Sequence, residues 1–269
     1  MDFKQVVGDR RAIRYYKPYR PVEKDKIQVI LEAARLQCSQ ANTHELRKAV
    51  VLTRGETPDE IFDGIVNALH NQTMAQLAPV IIVWVVDLSA WNNMRDLLME
   101  LIDVGALNAT QGWTEEKVDS GVLQTPEFNV LKGERHFAEW LSAIEVGLGI
   151  GSAVLAAVDQ GLGSCLASGD RDAMRPILGL PDDVTPAQLQ LVGYPAEDAK
   201  AGGQRPRAPF ETLFFEHTWG NPLKQDVAVL EYLKETGMIQ EPAPVSWRKA
   251  EVEALDRMFD FGSKTMTKE

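Results

Sequence analysis

The sequence predicts one domain of the α/β or α+β class, with helices flanking a central sheet. Three observations carry this. Residues 79–86, PVIIVWVV, are a continuous β-branched run, the pattern of a strand covered on both faces. Ile27, Ile30, Leu31 and Ala34 recur at helical spacing. No stretch of the 269 residues reads as a linker between independent units, and strands separated by helices give this class.

The elements follow in order. A helix is expected over about residues 23–37, with Pro21 near its start, then a short strand over 49–53 and a helix over 59–74. The strand 79–86 comes next. Residues 87–135 hold Trp91, Asn92, Asn93, Trp113, Phe128 and several acids without regular pattern; that length predicts a lid beside the core. A long helix over 138–161 carries Ala143, Gly147, Gly151, Ala153 and Ala157. Each glycine weakens a helix by about 1 kcal/mol, so the run implies tight packing in the core or against a subunit or ligand. A strand over 161–167, a helix over 171–178 and a strand over 189–193 follow. A basic turn covers 199–207, and the tail holds helices near 223–236 and 246–261. Trp84 and Trp140 fall in strand and helix patterns and are expected in the core.

Lys and Arg number 28 against 39 Asp and Glu, a formal charge of −11. That balance argues against general nucleic-acid binding and a polybasic membrane patch, while leaving room for a small basic pocket. Cys38 and Cys165 are far apart, make no CxxC or zinc spacing, and read as small packing residues. The start, MDFKQVVGDRR, has no apolar signal core, and the uncharged run 146–158 is too short to span a bilayer. A reducing, cytoplasmic setting is the expectation.

Familiar catalytic patterns are missing. There is no GxxxxGK[ST], HExxH or GxSxG, and His44, His70, His136 and His217 lack ligand spacing, so no metal is expected. Gly147, Gly149 and Gly151 approach a dinucleotide fingerprint, but Ser152 stands where Gly or Ala is needed and the run lies in a helical pattern.

What remains is a set of polar groups. Arg10, Arg11 and Arg14 in RRAIR can offer guanidinium forks to a phosphate; a short basic run can also be a solvated face. Arg205 and Arg207, two apart in a proline-stiffened segment, face the same way. Cys38, Ser39 and Asn42 follow a helix end, where short polar groups either satisfy the helix or contact a ribityl chain or ring edge.

RRAIRYY at 10–16, Ser39-x-x-Asn42, APVIIVW after a helix, GLGSCLASGD, ILGLPDDVTPAQLQLVGYPAE and RPRAPFETLF occur in one order. This ordered set, over about residues 3–215, resembles the nitroreductase family of FMN-dependent oxidoreductases. The resemblance implies an α+β fold with a mixed central sheet, assembled as an intertwined homodimer with two FMN molecules at the subunit interface. Residues 1–215 would be the FMN-binding domain, with its lid over about 87–135. Residues 216–269 would be a helical extension; the apolar stripe Leu223, Val227, Leu230 and Leu233 suggests that it wraps the partner.

By the same resemblance, Arg10, Arg11 and Ala12, with Arg205 and Arg207, would hold the FMN phosphate. Arg14 is a candidate for the phosphate or for the N1–C2 edge of the ring. Cys38, Ser39 and Asn42 would be given by the partner. Asn71 would pair with the pyrimidine edge, and Ser168 and Gly169 would meet the ring through backbone groups. The small-residue helix would form the dimer core. The chain departs from the family at Ala12, usually Ser, at Met74, often basic, and over residues 38–46, where only Ser39 and Asn42 persist.

The chemistry implied is hydride transfer through flavin N5, with no side-chain nucleophile demanded. NADH or NADPH would reduce the flavin, leave, and be replaced by a small nitroaromatic, quinone or related acceptor, a ping-pong cycle. His44, Trp91, Trp113 and Phe128 are the acceptor-site candidates; the aromatics could stack on a flat acceptor or plug the lid onto the core. The alternatives are a specialised flavin dehydrogenase, dehalogenase or biosynthetic oxidase, and a flavin-binding protein or dimeric scaffold without turnover.

Overall fold

The computed structural model describes residues 2–39, 42–125, 128, 135–242 and 244–259. Its helices are α1 (Phe3–Asp9), α2 (Lys24–Arg35), α3 (Asp59–Ala68), α4 (Thr73–Leu77), α5 (Met94–Asp103), α6 (Glu115–Ser120), α7 (Arg135–Asp159), α8 (Arg171–Leu178), α9 (Val227–Glu235) and α10 (Val245–Phe259). The strands are β1 (Arg47–Thr53), β2 (Val80–Asp87), β3 (Gly163–Ala167) and β4 (Val184–Gly193), in the order β1-β2-β4-β3.

These four strands pair antiparallel. A parallel bridge from Ala12 to Ser164 lays the N-terminal segment beside β3. Gly163 permits this approach: a β-carbon there would stand 2.7 Å from Cβ of Ile13.

All eight residues of β2 are buried, as the continuous β-branched run demands. Val80, Ile82, Trp84 and Val86 enter a core shared with α2, α7 and residues 88–118. Ile81, Val83 and Val85 enter a second core with α3, α8 and the N-terminal Ile13, Tyr15 and Tyr16. The architecture is helices, sheet, helices.

Several elements differ from the sequence reading. The helix expected over 59–74 is two helices, because His70 and Asn71 take left-handed backbone (φ 57° and 51°) and reverse the chain; asparagine tolerates that conformation better than most residues. Strand β4 begins five residues before the expected start at Leu189. The excursion is largely helical, with a 3₁₀ segment Leu88–Asn93 before α5 and α6; its residues 126, 127 and 129–134 lie outside the described set, as do 40, 41, 243 and 260–269. Helix α1 went unread: seven residues, capped by Asp2 accepting from the Lys4 backbone N at 2.9 Å.

Helix α7 runs for 25 residues and is long and apolar enough to cross a membrane by length and composition, more than the run 146–158 suggested. Here one face packs along α2 and the sheet. Trp140, expected in the core, is 57% exposed on the other face, beside exposed Phe137, Ile144 and Leu148. Apolar residues on both faces hide which one is inward.

Candidate functional site

The end of α1, the segment Arg10–Arg14 and the turn 201–207 enclose a pocket of about 430 Å³. Arg10, Arg11, Ala12, Arg14, Arg205 and Arg207 all line it, with Val7, Ala201 and Gln204. Thus the structure brings together the two basic motifs from opposite ends of the chain. Among the described residues no carboxylate lines this pocket. Burial, and after it Arg207, hold the Arg10 guanidinium below its ordinary pKa. Burial does the same to Arg11; Asp9 opposes it, and Arg10, Arg205 and Arg207 add to it. Cations crowded this way attract an anion.

The arginines are not equivalent. Arg11 is buried and committed: Nε donates to Lys200 O (2.9 Å), Nη1 to Gly8 O (2.5 Å) and Arg10 O (2.9 Å), and Nη2 to Gln240 Oε1 (2.9 Å). It is a strut between walls. Arg14 donates weakly to Ala12 O (3.3 Å), Arg205 to Ala201 O (3.3 Å), and Arg207 to Arg205 O and Pro206 O (3.2 and 3.1 Å). These three are exposed, so most of their donors face outward. Among the described residues no hydrogen bond or ion pair engages the Arg10 guanidinium. The donors left free for an anion in this pocket are therefore those of Arg10, Arg14, Arg205 and Arg207.

Val7 and Arg10 also line an adjoining groove of about 1050 Å³, which continues over Leu166, Ser168, Arg171, Ala187 and Gln188 to the exposed face of α7. Its floor is largely apolar, and again no described carboxylate lines it. The turn at its side is set by close packing. A β-carbon on Gly169 would stand 2.3 Å from Ala68 O, which accepts from the Asp170 backbone N at 2.8 Å. Gln72 Nε2 donates to Ser168 O at 3.3 Å, and Ser168 Oγ to Gln188 Oε1 at 3.1 Å. The α3–α4 reversal that carries Asn71 therefore sits against the Ser168–Gly169 turn; exposed Asn71 has its carbonyl taken by Gln76 Nε2 at 2.5 Å. Met74 packs against the second core.

A separate cleft of about 850 Å³ gathers Cys38, Ser39, Asn42, His44, Trp113 and Phe128 with Leu36, Leu98, Leu101 and Leu107. His44 Nδ1 lies 2.8 Å from Asn42 O. A carbonyl only accepts, so Nδ1 carries the proton and Nε2 is the free nitrogen. Trp91 is not in this cleft: it is 4% exposed and its Nε1 donates to Ser142 Oγ at 2.9 Å, so it plugs the excursion onto the core. Cys38 is exposed and Cys165 buried. Gln37 borders both cleft and groove, and its amide is hydrogen-bonded to Ser152 Oγ.

Two groups were missed from sequence. Arg47 donates to Glu145 O (3.0 Å), Gln37 O (3.4 Å), Cys38 O (3.2 Å) and Ala34 O, closing the end of α2 and holding the chain into the cleft. Glu197 has a fully buried carboxylate, accepting on Oε1 from the Arg14 and Tyr15 backbone N–H groups (2.5 and 3.0 Å) and on Oε2 from Arg248 (2.5 Å). A glutamate ending Gly-Tyr-Pro-Ala-Glu gave no local sign of either partner. Gly147 and Gly151 also became readable: a β-carbon on either meets nothing within 4 Å among the described residues, so no described neighbour requires them small.

The model of the nitroreductase family matches residues 7–194. No curated protein matches the chain. Among solved structures, the ydfN protein of Bacillus subtilis aligns with a TM-score of 0.64 at 20% identity, covering 81% of this chain and 99% of its own. A Staphylococcus epidermidis protein named as an NAD(P)H:FMN oxidoreductase aligns at 0.65 and 15%, covering 79% and 94%. An Exiguobacterium sibiricum protein named as a nitroreductase, solved in complex with FMN, aligns at 0.62 and 22%, covering 78% and 94%.

Proposed function

This chain belongs to the nitroreductase family, and from that premise we propose that it is an FMN-dependent oxidoreductase passing reducing equivalents from NADH or NADPH to a small nitroaromatic, quinone or related acceptor. One observation carries the reading: Arg10, Arg14, Arg205 and Arg207 meet in a pocket that opens, through Arg10, onto an apolar groove. A phosphate joined by a ribityl chain to a flat ring has that sequence of chemistries.

When bound, FMN supplies hydride transfer at N5. The chain's part is to bind, orient and shield. Arg10, Arg205 and Arg207 would neutralise the phosphate with charge-assisted bonds, and Arg14 would serve it or the N1–C2 edge. Arg11 keeps the walls apart. By the family resemblance the Ser168–Gly169 backbone and Asn71 would border the ring, and Leu166, which lines the groove, would give it an apolar floor.

The working unit we propose is a homodimer. Phe137, Trp140, Ile144 and Leu148 form an exposed apolar stripe on α7, and Gly147 and Gly151 leave space along the same helix. A second copy seated there would bring its cleft of Cys38, Ser39, Asn42, His44, Trp113 and Phe128 to the groove. The four leucines lining that cleft favour a second reading, a dedicated flavin enzyme for one apolar acceptor.

The test is the visible spectrum of the purified protein, followed by anaerobic NADH or NADPH and an acceptor panel. Flavin reduced by a nicotinamide and reoxidised by menadione or a nitroaromatic is the expected result. Bound flavin that neither nicotinamide reduces selects the dedicated enzyme, and a colourless protein that takes up no FMN overturns both.

A further inference from the structure

We propose that the C-terminal extension braces the phosphate pocket from behind in its own protomer, with Gln240 and Arg248 as positioning residues. This rests on the reading that the pocket takes FMN. The segment that follows helix α1 and the turn 201–207 supply the arginines. Gln240 joins them: its Oε1 accepts from Arg11 Nη2 (2.9 Å), its Nε2 donates to Asp9 Oδ1 (2.9 Å), and its backbone N donates to Gln204 Oε1 (3.0 Å). Gln204, itself a pocket residue, returns Nε2 to Met238 O (2.7 Å) and Gly8 O (3.3 Å).

Two glycines mark how closely the extension is seated. A β-carbon on Gly8 would overlap Gly237 O at 1.8 Å, and one on Gly202 would stand 2.9 Å from Cδ of Arg248. Lower down, Arg248 on α10 holds Glu197 and Glu251 (2.5 Å each). Glu197 in turn fixes the backbone at Arg14 and Tyr15, and Glu251 accepts from the Asp198 backbone N at 2.6 Å. Removing Arg248 leaves a buried carboxylate without its counter-charge, a state that proteins relieve by rearranging. What rearranges here is the segment bearing Arg10 and Arg14.

Cofactor affinity and docking of residues 237–256 are then linked, and linkage is reciprocal: whatever the docked extension adds to FMN binding, FMN adds to docking. The experiment titrates FMN into apo protein, followed by flavin fluorescence, for the wild type, Gln240→Ala, Gly8→Ala, Arg248→Met and Arg248→Lys. Amide hydrogen exchange of residues 237–256 is read in parallel with and without FMN. Arg248→Met and Gly8→Ala should each weaken FMN about tenfold, inside the usual span of coupling between sites. Arg248→Lys, which keeps the charge, should recover part of that loss. FMN should slow exchange across 237–256 in the wild type and do so less in Gln240→Ala, the mildest change. A merely structural extension would lower thermal stability without moving the FMN-dependent exchange. Variants that stay folded, bind FMN within twofold of the wild type and show no FMN-dependent protection overturn the inference alone. A wild type that binds no FMN overturns the reading of the pocket as well.

Discussion

Arg47 lies across α7 at Gly149: a β-carbon there would stand 2.2 Å from Cδ and 2.5 Å from Nε of the arginine. The missing side chain makes room for a guanidinium that closes the end of α2 and holds Cys38 O. Gly149→Ala should therefore destabilise by overpacking, about 1–3 kcal/mol, although alanine favours a helix. Urea unfolding measures this. Gly149→Ala and Arg47→Ala should be non-additive, since the second mutation removes the clash created by the first.

Adjacent arginines should behave differently. Arg10→Ala and Arg207→Ala remove free donors from the pocket and should each cost about 1.5–3 kcal/mol of FMN binding with little loss of stability. Arg11→Ala instead removes the hydrogen bonds to the carbonyls of Gly8, Arg10 and Lys200 and to Gln240 Oε1, so it should lower the melting temperature even without flavin. Flavin content after purification and thermal unfolding of apo protein separate the outcomes; unchanged flavin in both Arg10→Ala and Arg207→Ala would show the phosphate site to be elsewhere.

Asp87 opens the excursion. Burial alone would raise its carboxyl pKa, but Lys48 (2.5 Å) and Ser89 (backbone N 3.0 Å, Oγ 2.6 Å) reverse that, and the net shift is downward. A carboxyl lowered on folding stabilises fully above its unfolded value, about 3.9, and loses that contribution as pH falls through the folded value. The stability gap between wild type and Asp87→Asn should be constant near neutrality and close below about pH 4. A gap that widens on acidification would contradict the sign.

The exposed stripe on α7 predicts assembly. Trp140→Glu and Leu148→Glu should turn a dimer into a monomer in sedimentation velocity and lower flavin content with it, because the cleft of Cys38, Ser39, Asn42 and His44 would leave the groove. A wild type that sediments as a monomer while holding flavin would refute this.

Some of this was legible because the signal is local. Eight consecutive buried residues announce β2, and helix α8 reads from its capping Asp170 to Gly179, whose φ of 62° ends it. The break at His70 and Asn71 was not, since the enrichment of histidine and asparagine in left-handed backbone is too weak a signal to split a helical run. Neither was the division of labour between Arg10 and Arg11. Identical side chains on neighbouring residues point one into the pocket and one into carbonyls, and only tertiary contacts decide which. Ordered motifs located both basic segments, yet Gln240 and Arg248 act over separations that no local pattern records.

The alternation along β2 has a consequence for how this molecule can change. Residues 88–118 pack into one hydrophobic layer with α2 and α7, while the N-terminal segment behind the basic pocket packs into the other with α3 and α8. The sheet separates the two. Successive rounds of mutation could thus rebuild the cleft of Trp113 and Phe128 while the basic pocket stays as it is.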